Sequence, residues 1–189
     1  MNYNIGIVLP CFRCKGLVAQ VVDDILSVAQ QIAPKYLIEI IVIDDACPDE
    51  SWTDILSHKN IKVLHHSENL GVGGACLTGF KYALTNQKDV IIKIDSDGQH
   101  WPEYLLEIIP YIVNLPKNKL TLLKGSRYFC PGVGPTTPTT RRVGSLFLEP
   151  IARAALSYRG MTDIANGFLA MNYLTCSYLI SPEIKPSIE

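Results

Sequence analysis

Four times in the first 95 residues a short, almost wholly apolar run breaks off against polar or small residues, at 5–9, 38–43, 61–64 and 90–94. Runs this short, rich in Ile and Val and lacking a polar face, belong to strands covered on both sides, which is the condition of a parallel sheet. Between the first two, residues 16–32 set Leu17, Val18, Val21, Val22, Ile25, Leu26 and Val28 at helical spacing, giving one buried face. Strand, helix, strand opens a parallel α/β sheet, because parallel neighbours need a crossover between them.

The alternation continues. Residues 51–56 read as a short helix, and after the small residues of 71–75 a helical stretch runs to about 84. A third spans 102–113, with Pro102 at a tolerated first-turn position and Glu103 at the positive end of the helix dipole. Residues 120–124 make a fifth strand. From 129 to 140 the chain holds four Thr, three Pro and two Gly without periodicity, which predicts a long surface loop. Helical spacing returns over 141–158, broken at Pro150. With 189 residues, 48% hydrophobic and 19% charged, one α/β domain over 1–175 followed by a tail at 176–189 is the expected organisation.

A formal net charge of −1 argues against a nucleic-acid partner, which would need a broad basic surface. No window approaches the roughly 20 apolar residues of a membrane span, and the N-terminal Asn2-Tyr3-Asn4 does not begin a signal segment, so the chain reads as cytoplasmic. Its six cysteines are then expected to be mostly reduced. Cys11-x-x-Cys14 has the spacing of half a zinc site or of a redox pair, but no second Cys-x-x-Cys or clustered His pair completes it, and neither use is expected.

The stretch with the most chemistry in it is Asp95-Ser96-Asp97-Gly98-Gln99-His100, directly after the fourth apolar run. Alternate carboxylates at the end of a buried strand aim hard oxygen ligands at one spot, a place to hold a divalent cation, although Asp, Ser and Gly also form ordinary turns. Gly71, Gly73 and Gly74 at a helix start permit close packing on the sheet or close approach of a phosphate to backbone N–H groups. Cys76 stands where the third small residue of a dinucleotide fingerprint belongs, which speaks against a Rossmann dehydrogenase.

Several motifs in order carry a family resemblance. They are Val42-Ile43-Asp44-Asp45, Asn69-Leu70-Gly71, the loop from Asp95 to His100 continued by Pro102-Glu103, Gly125-Ser126-Arg127, and Asp163-x-x-Asn166-Gly167-Phe168. The sequence resembles the family 2 glycosyltransferases of the GT-A fold, most closely the polyprenyl-phosphate branch typified by dolichol-phosphate mannosyltransferase. The resemblance implies an α/β fold with a mostly parallel central sheet. It also implies inverting transfer of a sugar from a nucleotide-diphosphate donor, GDP- or UDP-linked, to a polyprenyl phosphate.

By the same resemblance Asp95, Asp97 and Gln99 are the metal ligands for Mg²⁺ or Mn²⁺, with Asp97 and Gln99 the more direct. Pro10, Phe12, Asp44, Asp45, Gly71, Gly74, Asp95 and Ser96 bind the nucleotide-sugar, and Arg127, Arg141 and Arg142 bind phosphate. Arg127 also stabilises departing charge, and Asp163 lies near the acceptor, as a base toward a sugar hydroxyl or as a positioning group toward an already ionised phosphate. The family commonly carries Pro-x-Tyr-Asn where this chain has Pro10-Cys11-Phe12-Arg13, which leaves the base open between GDP and UDP. Two other functions fit the same residues: a family member of polysaccharide or cell-wall synthesis with a glycan acceptor, and a non-catalytic nucleotide-sugar binding module. The apolar face within 141–159 serves either to pack a helix on the sheet or to rest at a membrane surface, the first being the commoner use.

Overall fold

The computed structural model describes residues 2–98, 100–126, 163 and 166–181. They divide into two compact units, one of residues 1–123 with 168–189 and one of 124–167.

The first unit carries a six-stranded sheet in the order β3-β2-β1-β4-β6-β5. In chain order the elements are β1 (Tyr3–Cys11), α1 (Leu17–Ile32), β2 (Tyr36–Asp44), a 3₁₀ turn (Ser51–Ile55), β3 (Ile61–His65), α2 (Gly71–Thr85) and β4 (Val90–Lys93). A second 3₁₀ turn (Pro102–Tyr104), α3 (Leu105–Val113), β5 (Leu122–Lys124), β6 (Leu169–Asn172) and α4 (Tyr173–Ile180) follow. β1, β2, β3 and β4 are mutually parallel, and β6 runs antiparallel to β4.

β1, β2 and β4 form because their side chains are buried on both faces, whereas β3 at the edge is only partly buried. Ile5, Ile7, Leu9, Ile40, Val42, Ile92 and Ile94 pack against α1 and α3 on one side. Val8, Ile41, Ile43 and Ile91 pack against Ala75, Phe80 and Ala83 of α2 and Cys176 of α4 on the other. The two lists alternate along each strand, as a period of two requires.

Two expectations are corrected. The first strand runs through Pro10 to Cys11 rather than stopping at Pro10. Val8 and Pro10 turn their bonding groups toward the same side, where Val8 O accepts from Ile94 N. At Pro10 strand β4 has already ended, so the missing N–H costs no ladder bond, and Ser96 Oγ donates to the Pro10 carbonyl at 2.6 Å. Residues 169–180 are also more ordered than a motif and a tail: they form β6 and α4, which Asn172 joins by accepting from Thr175 N at 2.9 Å. The boundary expected at 175/176 therefore falls inside a helix.

Helix α2 lies close on the sheet because Gly79 has no side chain. A Cβ there would stand 2.3 Å from Val8 Cγ1, in the fully buried centre of β1. Gly79→Ala would gain about 1 kcal/mol of helix propensity, but a stiff buried valine has nowhere to move, and overpacking costs about 1–3 kcal/mol. The expected outcome is a net loss of about 1 kcal/mol and a melting temperature about 3 °C lower; a more stable variant would contradict this packing.

Candidate functional site

The strand order turns around at β1, with β2 and β3 to one side and β4 to the other. Ligands of open α/β sheets bind outside the carboxyl ends of the strands at such a reversal. There the first unit has a cavity of about 320 Å³, lined from the end of β1 by Pro10 to Cys14, from the end of β2 by Asp45, and from the end of β4 by Asp95 to Asp97. Asn69, Gly71 and Val72, at the start of α2, close its side.

Of the residues expected at the site, Pro10, Phe12, Asp45, Gly71, Asp95, Ser96 and Asp97 are thus brought together. Asp44 is not among the lining residues. Successive residues at a strand end point to opposite faces, and the Asp44 carboxylate accepts from Cys47 N at 3.0 Å and from His65 Nδ1 at 2.9 Å, which fixes the turn after β2. Gly74 is absent from the lining too; one turn into α2, its Cα hydrogen faces Leu70, whose Cβ would be 2.5 Å from a Cβ placed there. Gln99, Arg127, Arg141 and Arg142 lie outside the described residues, as do the expected loop at 129–140 and helix at 141–158. Asp163 belongs to the second unit and is buried, as is Asn166, whose carbonyl accepts from Lys124 Nζ.

Asp45 is only 2% exposed, and its Oδ1 accepts from Leu70 N at 2.9 Å and His66 Nδ1 at 2.7 Å. Asn69 receives Gly71 N at 3.1 Å and donates to the Asp45 carbonyl at 3.2 Å. Two side chains therefore satisfy N–H groups at the start of α2 and seat that helix end against the cavity. His66 and Asn69 were not expected as site residues; Asn69 was legible as a capping residue, whereas nothing local marks His66.

Lys93 is the third residue missed. It is 5% exposed, inside β4, and its ammonium donates to Asp95 Oδ1, while His100 Nε2 lies 3.0 Å from Asp95 Oδ2 and its ring packs on Phe168. Burial works to raise the Asp95 carboxyl, but hydrogen bonds and charge from His100 and Lys93 outweigh it and hold the group down at about 2. A lone lysine in an apolar strand, two residues before a carboxylate, was the available signal. Gly98, at φ 75°, then turns the loop back in a conformation suited to glycine.

Both Asp95 oxygens are thus engaged, and among the described residues no group of three His, Cys, Asp or Glu side chains is arranged to hold a metal by itself. The all-oxygen donors of this rim still suit a hard divalent cation of the kind commonly held by one or two carboxylates together with substrate phosphates, and Asp97 is the carboxylate of the loop that would face it. Phe12, 42% exposed at the mouth, carries the Arg13 guanidinium 5.3 Å from its ring centroid.

This architecture is that of the nucleotide-diphospho-sugar transferases of the GT-A type. The fold matches glucosyl-3-phosphoglycerate synthase from Mycobacterium tuberculosis, crystallised with Mn²⁺, UDP-glucose and phosphoglyceric acid, with a TM-score of 0.64, 19% identity, and coverage of 91% of this chain and 57% of that one. It also matches mannosyl-3-phosphoglycerate synthase from Rubrobacter xylanophilus, with a TM-score of 0.68 and 18% identity over 90% of this chain and 53% of that one. The model of glycosyl transferase family 2 matches residues 6–172, and the chain belongs to that family.

Among curated relatives, undecaprenyl-phosphate mannosyltransferase of Micrococcus luteus is 32% identical over 136 residues, 70% of this chain and 54% of the relative. Dolichol-phosphate mannosyltransferase of Pyrococcus furiosus is 33% identical over 137 residues, 70% of this chain and 37% of the relative. The chain therefore spans about half or less of the length of these relatives. Among the described residues no helix is long and apolar enough to cross a membrane.

Proposed function

We propose that the chain is the catalytic part of a metal-dependent, inverting glycosyltransferase that moves a sugar from a GDP- or UDP-linked donor to a polyprenyl phosphate. The observation that carries this reading is the meeting of Asp45, Asp95, Asp97 and the start of α2 around one cavity at the reversal of the sheet. The named acceptors of the two mannosyltransferase relatives support a lipid phosphate, and with it a reaction at a membrane surface.

In this reading the cavity receives the nucleotide, its base near Phe12 and Asp45. A divalent cation, Mg²⁺ or Mn²⁺, supplies the neutralisation of charge on the departing diphosphate. Asp97 and Gln99 would hold it, while Asp95, fixed by Lys93 and His100, would keep the loop in shape and accept from the ribose. Arg127, with Arg141 and Arg142, would grip phosphate oxygens through guanidinium forks. Asp163 would orient the acceptor, since a phosphate is already ionised near neutral pH and needs no base. Displacement at the anomeric carbon is then a single in-line step without a covalent enzyme intermediate.

A thermal-shift panel of GDP, UDP and their sugars, with and without Mn²⁺, tests the reading on wild type and Asp97→Ala. One nucleotide family should stabilise the wild type by about 2–3 kcal/mol near a hundredfold excess over Kd, only with metal, and not the variant. Equal shifts in Asp97→Ala would end it. Transfer of labelled sugar into an extractable polyprenyl phosphate tests the acceptor; nucleotide binding with neither transfer nor donor hydrolysis would leave a nucleotide-sugar binding module.

A further inference from the structure

Beneath the nucleotide cavity the turn Cys11-Phe12-Arg13-Cys14 folds two thiols onto one another, with Sγ atoms 2.9 Å apart. We infer that Cys11 and Cys14 form an oxidative modification site, a dithiol that peroxide converts to a disulfide, tying the ends of the turn that carries Phe12 and Arg13 and thereby weakening nucleotide binding. The effect on binding rests on the nucleotide reading above; the thiol chemistry does not.

The site stands on placement. Cys11 ends β1 and Cys14 lies just before α1, where its carbonyl accepts from Leu17 N and Val18 N, so strand, Cys-x-x-Cys and helix follow in the order of dithiol redox motifs. Both residues line the cavity, yet they are 0% and 4% exposed, so an oxidant must be small enough to enter it. Arg13, between them, has φ 54°, a left-handed conformation uncommon for arginine, and its N–H donates to Cys47 Sγ at 2.8 Å. That bond holds the turn in the shape that brings the sulfurs together. The Cys47 thiol in turn donates to Asp49 Oδ1 at 2.7 Å, which leaves Cys11 as the partner for Cys14.

The roles divide between the two thiols. The Cys11 thiol donating to it, against burial and with help from Ser96 and Ser51, pulls the Cys14 thiol down. The same hydrogen bond, with burial, pushes Cys11 up. Cys14 as thiolate displaces hydroxide from hydrogen peroxide: the S–O bond forms, the O–O bond breaks, and the sulfur is oxidised to a sulfenic acid. Cys11 then attacks the Cys14 sulfur, the S–O bond breaks, and hydroxide leaves as water with the Cys11 proton. Two thiols and one peroxide give one disulfide and two waters.

The test is a titration of the reduced full chain with hydrogen peroxide below one equivalent, followed by alkylation of the remaining thiols and peptide mass mapping. A Cys11–Cys14 linked peptide, reversed by dithiothreitol, should form about tenfold faster than Cys76 or Cys176 is consumed, since burial pushes both of those thiols up. In Cys11→Ser, dimedone should trap a sulfenic acid on Cys14, and Cys14→Ser should give neither product. The oxidised protein should lose most of the thermal shift that nucleotide and Mn²⁺ give the reduced one. Consumption of other cysteines first would overturn the site, and an unchanged shift after quantitative linking would overturn its effect on binding. A reduced protein that no nucleotide stabilises would sink the nucleotide reading, while the mapped peptide still decides the thiol site.

Discussion

Lys93→Met is expected to lower stability by about 2 kcal/mol and the melting temperature by about 6 °C. Methionine keeps most of the apolar stem but removes the ammonium from Asp95. Removing one member of a fully buried pair costs about 3–5 kcal/mol; here the Asp95 side chain is 29% exposed and keeps His100, so solvent and the second donor reduce the loss.

The pH dependence has a definite sign. The folded Asp95 carboxyl is held down at about 2, below its unfolded value near 4, so its contribution is complete above about pH 4 and is lost as pH falls through about 2. Without Lys93 the folded value rises toward the unfolded one, and that contribution shrinks at every pH above it. Melts of both proteins from neutral to acid pH read this out: the gap between them should be full near pH 7 and close toward pH 2. A gap independent of pH would mean that Lys93 acts by packing alone.

Asp45→Ala should cost about 3 kcal/mol, because it strands Leu70 N–H and His66 Nδ1 without their common acceptor, and each unsatisfied buried group costs about 1–3 kcal/mol. Asp45→Asn keeps an oxygen at Oδ1 and should cost about 1 kcal/mol. The pair separates scaffold from site. If Asp45 also meets the nucleobase, Asp45→Asn, folded and with α2 still seated, will lose a large part of the nucleotide shift in the thermal panel. Equal melting temperatures for the two variants would show that the Asp45 hydrogen bonds do not anchor the helix.

The parallel part of the sheet was legible in the sequence because burial writes itself as short apolar runs, interrupted only by Glu39, Lys62 and Lys93. β6 was not: Leu169-Ala170-Met171-Asn172 contains no β-branched residue, and its place beside β4 depends on a partner nearly eighty positions away. Helix α4 is apolar on most sides and so lacks the one-faced pattern that revealed α1.

At the cavity, the carboxylates were legible because each follows a strand. The division of labour within Asp44-Asp45 follows from the alternation of a strand, but which of the two faces the cavity depends on the register of β2 against β1 and β3. How Asp95 is neutralised, by a lysine within its own strand and a histidine across the loop, is set by tertiary structure. The lone lysine in an apolar strand was its one local sign; that His100 folds back onto the same carboxylate was not marked.

Among the described residues, the outermost strands have a bearing on behaviour at high concentration. β3 has five residues and turns Lys62 and His65 outward, and β5 has only three. Short, charged margins offer a neighbouring molecule few unpaired amides to dock on, so this sheet is poorly suited to seed edge-to-edge stacking into fibres despite its long Ile- and Val-rich interior.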